Sequence, residues 1–142
     1  MPARSPTAPC PCGSGRTYKR CCLRAHQGHP AASPEALMRS RYAAYAVGAV
    51  DYLIATTDPA GPQWRVDRSA WAEEIELFCT RTRFEKLTVR ASTTHEDRGE
   101  VRFFAKLSRD GEDVSFAEHS HFTRVGGRWL YHSGDVDESD DA

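Results

Sequence analysis

The sequence predicts an α+β domain in which helices come first and a curled antiparallel meander wraps round the longest of them. Two observations carry this. Apolar residues recur at helical spacing up to about residue 80, and after Phe84 the period drops from 3.6 to 2. A third feature stands apart: four of the five cysteines lie within residues 10 to 22, before any periodic segment begins.

Ser33-Pro34-Glu35 supplies an N-cap, a proline at the first helical position and an early acid. Leu37, Met38, Tyr42, Tyr45, Ala46 and Ala49 follow at helical spacing, so a helix is predicted from Ser33 to about Val47, broken by Gly48. Val50 to Thr56 reads as a second, short helix that stops before Asp58-Pro59. A third runs from about Ser69 to Thr80, with Trp71, Ile75 and Phe78 on one face and Cys79 as inert core.

Four strands follow. Leu87, Val89 and Ala91 alternate with polar residues; Val101, Phe103, Ala105 and Leu107 repeat the pattern. Val114, Phe116 and Phe122 mark the third strand, and Trp129, Tyr131 and Ser133 the fourth. The separators Glu96-Asp97-Arg98-Gly99, Asp110-Gly111 and Gly126-Gly127 supply residues that tolerate positive φ, as tight hairpins require. A sheet curled round a helix leaves a pocket.

At 142 residues the chain fits one compact domain with a small N-terminal segment. Residues 1–29 form that segment, and 30–142 the domain, with an acidic tail from about 135. Residues 1–9, with three prolines, read as a flexible leader. The longest apolar stretch, Tyr42 to Val50, is about half of the roughly 20 residues that span a bilayer, and the first ten residues hold no apolar h-region. A cytosolic protein is expected. The net charge of −1 hides an asymmetry: Arg4, Arg16, Lys19, Arg20 and Arg24 stand without an acid at one end, and Asp135, Asp137, Glu138, Asp140 and Asp141 crowd the other.

In a reducing compartment clustered thiols point to metal. Cys10, Cys12, Cys21 and Cys22 form two ligand pairs eight residues apart, able to close a tetrahedron round one zinc ion. Gly13-Ser14-Gly15 lets the chain turn, Tyr18 gives the loop an apolar side chain, and Arg16, Lys19 and Arg20 offset the charge of four thiolates. His26 or His29 is the alternative to Cys21 or Cys22 as fourth ligand. Four protein ligands leave no open position, so the site is structural.

The pattern CPCGS-x-x-x-Y-x-x-CC resembles the SEC-C motif, the zinc module of the SecA preprotein translocase that contacts the chaperone SecB. The run Leu37-Met38-Arg39-Ser40-Arg41-Tyr42-Ala43-Ala44-Tyr45, with Asp51-Tyr52-Leu53-Ile54, is similar to the YchJ family, UPF0225. The resemblance covers nearly the whole chain. It implies a SEC-C motif followed by a nuclear transport factor 2-like cone, with Cys10, Cys12, Cys21 and Cys22 as zinc ligands. Where some members carry a second cysteine motif at the C-terminus, this chain ends in acids.

On the third strand the apolar parity of Val114, Phe116 and Phe122 also contains Glu118 and Ser120, which places both in the cone. An inward carboxylate is a candidate functional group. The pocket candidates are Glu118, Ser120, Tyr42 and Arg41, with Tyr45 and Trp129 on the walls. The structural alternative pairs Glu118 with Arg39 or Arg41, or turns it outward at a bulge. His119 and His121 fall on the opposite parity, a solvated face where they are at most weak metal ligands.

Two functions follow as expectations. The first is a zinc-bound interaction module, with Arg16, Lys19 and Arg20 meeting an acidic protein, joined to a ligand-pocket domain. Nucleic acid is disfavoured, because five basic residues are few and stacking aromatics are nearly absent from the segment. The second is a small-molecule isomerase, dehydratase or cyclase with Glu118 as acid or base and Ser120 or Tyr42 orienting the substrate; it requires a closed, mostly apolar cavity of roughly 300 Å³ or more. A homodimer through the open sheet face is a third possibility. No nucleophile elbow, P-loop or dinucleotide fingerprint occurs.

Overall fold

The computed structural model describes residues 5–137; of the predicted acidic tail, residues 138–142 lie outside the described residues, as do residues 1–4 of the leader. Four α-helices precede the sheet: α1 Cys22–His26, α2 Pro34–Val47, α3 Val50–Ala55 and α4 Arg68–Arg81. Each predicted helix is present. The Ser33 side chain accepts from the Ala36 amide at α2, and the Asp67 side chain caps α4 through Ala70. Gly48, at φ +78°, ends α2 in the left-handed region as predicted.

The sheet contains β1 Arg83–His95, β2 Arg98–Arg109, β3 Glu112–Asp113, β4 Phe116–Val125 and β5 Arg128–Val136, all antiparallel in the order β1-β2-β4-β5, with β3 also on β2. Where four strands were expected there are five, because the third is interrupted. β3 and β4 keep one register against β2, and between them the Ser115 hydroxyl takes the Leu107 amide at 2.9 Å in place of main chain. The turns behave as predicted: Glu96, Asp110, Gly111, Gly126 and Gly127 all have positive φ.

A bulge between Phe84 and Lys86 opens β1, and alternation fails again at two more. One falls between Val89 and Ala91, so Ser92 faces the buried Val101 and Ala91, predicted inward, pairs with Arg102 on the exposed face. The other falls in β5 opposite His121 and Phe122, so Gly134 takes the inward place across from Ser120, and Ser133 pairs with His121 on the outer face. An inserted residue shifts every later side chain to the other face.

One core cluster joins Leu37, Met38 and Tyr42 of α2 to Leu87, Val101, Phe103, Ala105, Leu107, Phe122, Trp129 and Tyr131 of the sheet. The close approach of sheet to helix depends on Gly99, where any side chain would overlap the ring of Pro34. A second cluster packs α3 and α4 together through Leu53, Ile54, Trp71, Ile75 and Cys79. A third joins Cys10, Cys12, Tyr18 and Cys22 to Ala43, which is fully buried on α2. The cysteine segment therefore shares a face of the same helix that the sheet wraps.

Candidate functional site

Residues expected as leader help to build the cysteine site. Pro9 bridges to Thr17, the Tyr18 amide donates to Ala8 O at 2.9 Å, and the Lys19 amide donates to Pro6 O at 2.8 Å. The described part of the leader is thus hydrogen-bonded into the loop. Gly13 and Gly15, at φ +80° and +87°, turn the chain between the cysteine pairs. A 3-10 turn at Tyr18–Arg20 and then α1 bring Cys21 and Cys22 back over Cys10 and Cys12. No apolar period announces these short helices.

The Sγ atoms of Cys10, Cys12, Cys21 and Cys22 all lie within 4.8 Å of one another, with Cys12 to Cys21 at 3.5 Å and Cys21 to Cys22 at 3.9 Å. Metal–sulfur bonds of about 2.3 Å would set tetrahedral sulfurs about 3.8 Å apart, so the donor set fits one ion. None of the five cysteines is in a disulfide. The thiols share protons: hydrogen bonds from Cys10 and Cys22 drive the Cys12 thiol down, and Cys10 is pushed up to about 11 by its bond with Cys12. Ser14 Oγ lies 3.1 Å from Cys21 Sγ and Arg16 Nη2 lies 3.9 Å from it, which orients and partly neutralises the outermost sulfur. His26 is engaged elsewhere: its Nδ1 accepts from the Tyr18 hydroxyl at 2.6 Å and its Nε2 donates to Ser40 O at 2.8 Å. His29 is exposed, in a shallow groove with Lys19, Arg20, Leu23 and Arg24. Four cysteines, and neither histidine, make the cluster.

The second site is a cavity of about 210 Å³ between α2, α4 and the sheet. It is smaller than expected, because Phe78, Phe84, Phe103, Phe116 and Phe122 fill much of the cone. Glu118, Ser120, Tyr42, Tyr45 and Arg41 all line it, as the alternation predicted for the first two. Trp129 does not. It sits farther along β5 among the core residues, with Arg124 stacked 5.1 Å above its ring.

Neither expected arginine bonds to Glu118 among the described residues. Arg39 bonds Glu35 at 3.0 Å and Cys12 O at 2.8 Å, and Arg41 donates to Leu53 O at 3.0 Å and Thr56 Oγ1 at 2.7 Å. These carbonyl and hydroxyl acceptors at the end of α3 outcompete the carboxylate. Instead, Glu118 Oε2 accepts from Ser120 Oγ at 2.5 Å and from the Tyr131 hydroxyl at 3.1 Å, and Gln63 Nε2 reaches that hydroxyl at 3.3 Å from the cavity rim. Burial, and then the charge of Glu118, push the Tyr131 phenol well above its ordinary value, so it stays a proton donor. Burial also drives the Tyr42 phenol up to about 12, aided by the charge of Glu85 and opposed by the Lys86 main chain. The Tyr42 hydroxyl is buried without a well-formed hydrogen bond.

Tyr131, Gln63 and Gly134 were not singled out by the sequence as site residues. A side chain at Gly134 would overlap the Glu118 carboxyl and the Tyr131 hydroxyl, so the glycine makes room for both. Only the cross-strand register reveals that relationship.

Comparison with known proteins agrees with the geometry. Residues 33–134 match the family model described as the YchJ middle NTF2-like domain, and residues 7–24 match the SEC-C motif. A UPF0225 protein of Corynebacterium efficiens is 41% identical, covering 91% of this chain and 94% of its own. One from Vibrio parahaemolyticus is 37% identical over 92% of this chain and 77% of its own. The solution structure of a SEC-C motif containing protein from Rhodopseudomonas palustris superposes with a TM-score of 0.77 at 39% identity, covering 91% of this chain and 98% of that one. A second such protein, from Psychrobacter arcticus, has the same fold, with a TM-score of 0.73 at 24% identity over 92% and 84% of the two chains. Among the described residues no helix is long and apolar enough to cross a membrane.

Proposed function

The chain belongs to the UPF0225 family, and from that premise we propose that its cysteine segment is a structural zinc module that docks an acidic protein partner and is joined to a ligand-cavity domain. The observation that carries this reading is the convergence of four thiols within 4.8 Å, with Arg16, Lys19 and Arg20 exposed round them. Thiolates favour zinc among abundant divalent ions, and four protein ligands leave no position for a substrate. The segment is too short to hold a core of its own, so the ion supplies folding energy. Arg16 leans on the Cys21 sulfur, and the exposed Lys19 and Arg20 side chains are the ones placed to meet a partner.

Two measurements test it. Metal analysis of the purified protein is expected to find zinc that chelation removes together with the order of the segment. Capture experiments with wild type and with the Lys19→Glu/Arg20→Glu variant, at low and high salt, are expected to differ in a salt-sensitive partner; identical partner sets would refute the docking role.

A second reading is favoured by one observation, the Glu118 carboxylate held by Ser120 and Tyr131 on the cavity wall without an arginine. In this reading the cavity, which at about 210 Å³ falls short of the size expected for an enzyme of this kind, binds only a very small, mostly apolar molecule. Glu118 supplies a base or acid for an isomerase, dehydratase or cyclase reaction, and Tyr42 offers its unused hydroxyl. Ligand screening by NMR is the test; no small apolar compound shifting the signals of Tyr42, Phe103 or Tyr131 would end it.

A further inference from the structure

A second group of metal-ligating side chains lies on the outer face of the sheet. Strand alternation puts His119 and His121 of β4 side by side, with ring centroids 4.6 Å apart. Pairing sets Glu100 of β2 opposite His121, and Asp135 of β5 opposite His119. His119 Nε2 lies 2.5 Å from Glu100 Oε1, and His121 Nε2 lies 3.5 Å from Asp135 Oδ2. The ligand atoms of Glu100, His119 and His121 all fall within 4.8 Å of one another.

A simple ion pair needs one imidazole and one carboxylate. Here two such pairs stand side by side, His119 on Glu100 and His121 on Asp135, and the ligand atoms of both imidazoles lie within 4.8 Å of the Glu100 carboxylate. One divalent ion would bridge the two pairs, since imidazole nitrogen and carboxylate oxygen are both its ligands. Arg102, across from His119 on the same face, is drawn to Asp137 at 3.5 Å, which offsets its charge. Ligand bonds of about 2.0–2.2 Å need donors closer together than 4.8 Å. The side chains can contract by rotation, because His121, Glu100 and Asp135 are 39%, 51% and 84% exposed and no core packing fixes them.

We propose that Glu100, His119 and His121, with Asp135 at the edge, form a second metal site that takes a divalent ion of zinc-like, borderline character through nitrogen and oxygen ligands. Imidazole with carboxylate suits Zn²⁺, Ni²⁺ or Cu²⁺ better than Ca²⁺ or Mg²⁺. Unlike the closed cysteine cluster, this site faces solvent and keeps coordination positions for water or an incoming ligand.

The test is equilibrium dialysis of the full-length protein against buffered Zn²⁺, with ions per chain counted for wild type and for His119→Asn/His121→Asn. The double variant is expected to hold one ion fewer per chain, whatever the loading of the cysteines, and Glu100→Gln to bind the outer ion about tenfold or more weakly. Ring nitrogen NMR signals of His119 and His121 should move on Zn²⁺ addition and stay still on Mg²⁺ addition. Equal ion counts in wild type and double variant, or ring signals that ignore Zn²⁺, would overturn the proposal. Unchanged circular dichroism in the variants checks that folding is not the cause.

Discussion

His26 donates through Nε2 to the main-chain carbonyl of Ser40 at 2.8 Å, and that bond fastens the cysteine segment to α2. The ring is neutral in this arrangement, because Nδ1 accepts from Tyr18. Burial lowers its pKa, with the Ser40 carbonyl opposing. A group whose folded pKa is depressed favours the fold when deprotonated. Stability is therefore expected to be full above about pH 6.5 and to decline as pH falls below it toward the lowered folded value. Denaturant midpoints between pH 7.5 and 5 measure this, and His26→Phe should flatten the slope while lowering stability at pH 7.5.

Cys12 is fully buried at the centre of the cluster. Cys12→Ser is expected to abolish metal binding at this site and to release residues 5 to 29 from their fixed fold. The apparent binding energy of a structural zinc is on the order of 10 kcal/mol, far more than the segment's own contacts provide. Metal content and amide exchange in that segment report it. A variant that keeps its metal would show that three cysteines suffice.

Tyr42→Phe is expected to stabilise the protein by roughly 1 kcal/mol, since it removes a buried hydroxyl that lacks a proper partner. Thermal or denaturant unfolding gives the sign. If the cavity takes a ligand through this hydroxyl, the same variant loses that ligand's affinity although it folds more firmly.

Gly134→Ala should displace the Glu118 carboxyl, because the added methyl overlaps it. The cost is expected to be about 1–3 kcal/mol. Replacing Ser120 by alanine removes a hydrogen bond to the same carboxylate without steric overlap, and should cost less, roughly 1 kcal/mol. If the two variants lose equal stability, Gly134 is not what makes room for Glu118.

Much of this fold is legible in the chain because its signals are local. Ser33, Pro34 and Gly48 mark the ends of α2, and Asp110-Gly111 and Gly126-Gly127 mark hairpins by backbone preference alone. The cysteine spacing likewise announces a convergent site. What stayed hidden depends on long-range register. The bulges that turn Ala91 and Ser133 outward have no composition of their own, and Gly134 matters only once β5 is laid against β4. The expected Glu118–arginine pair failed for a related reason, since α3 offers Arg41 acceptors that no reading of β4 reveals. The outer histidines were placed on the correct face, yet Glu100, which completes their cluster, comes from another strand.

Three consecutive residues of α2 serve three separate parts of the molecule, since each helical step turns the side chain by about 100°. Arg39 reaches the Cys12 carbonyl, Ser40 receives His26 and bonds Tyr52, and Arg41 braces the end of α3 from the cavity wall. A change at any one of them is felt by its neighbours through a single rigid turn. This tripeptide is thus a pleiotropic hinge point for sequence drift: the metal end and the cavity end cannot be tuned independently through it, and variation that separates the two must enter elsewhere in the chain.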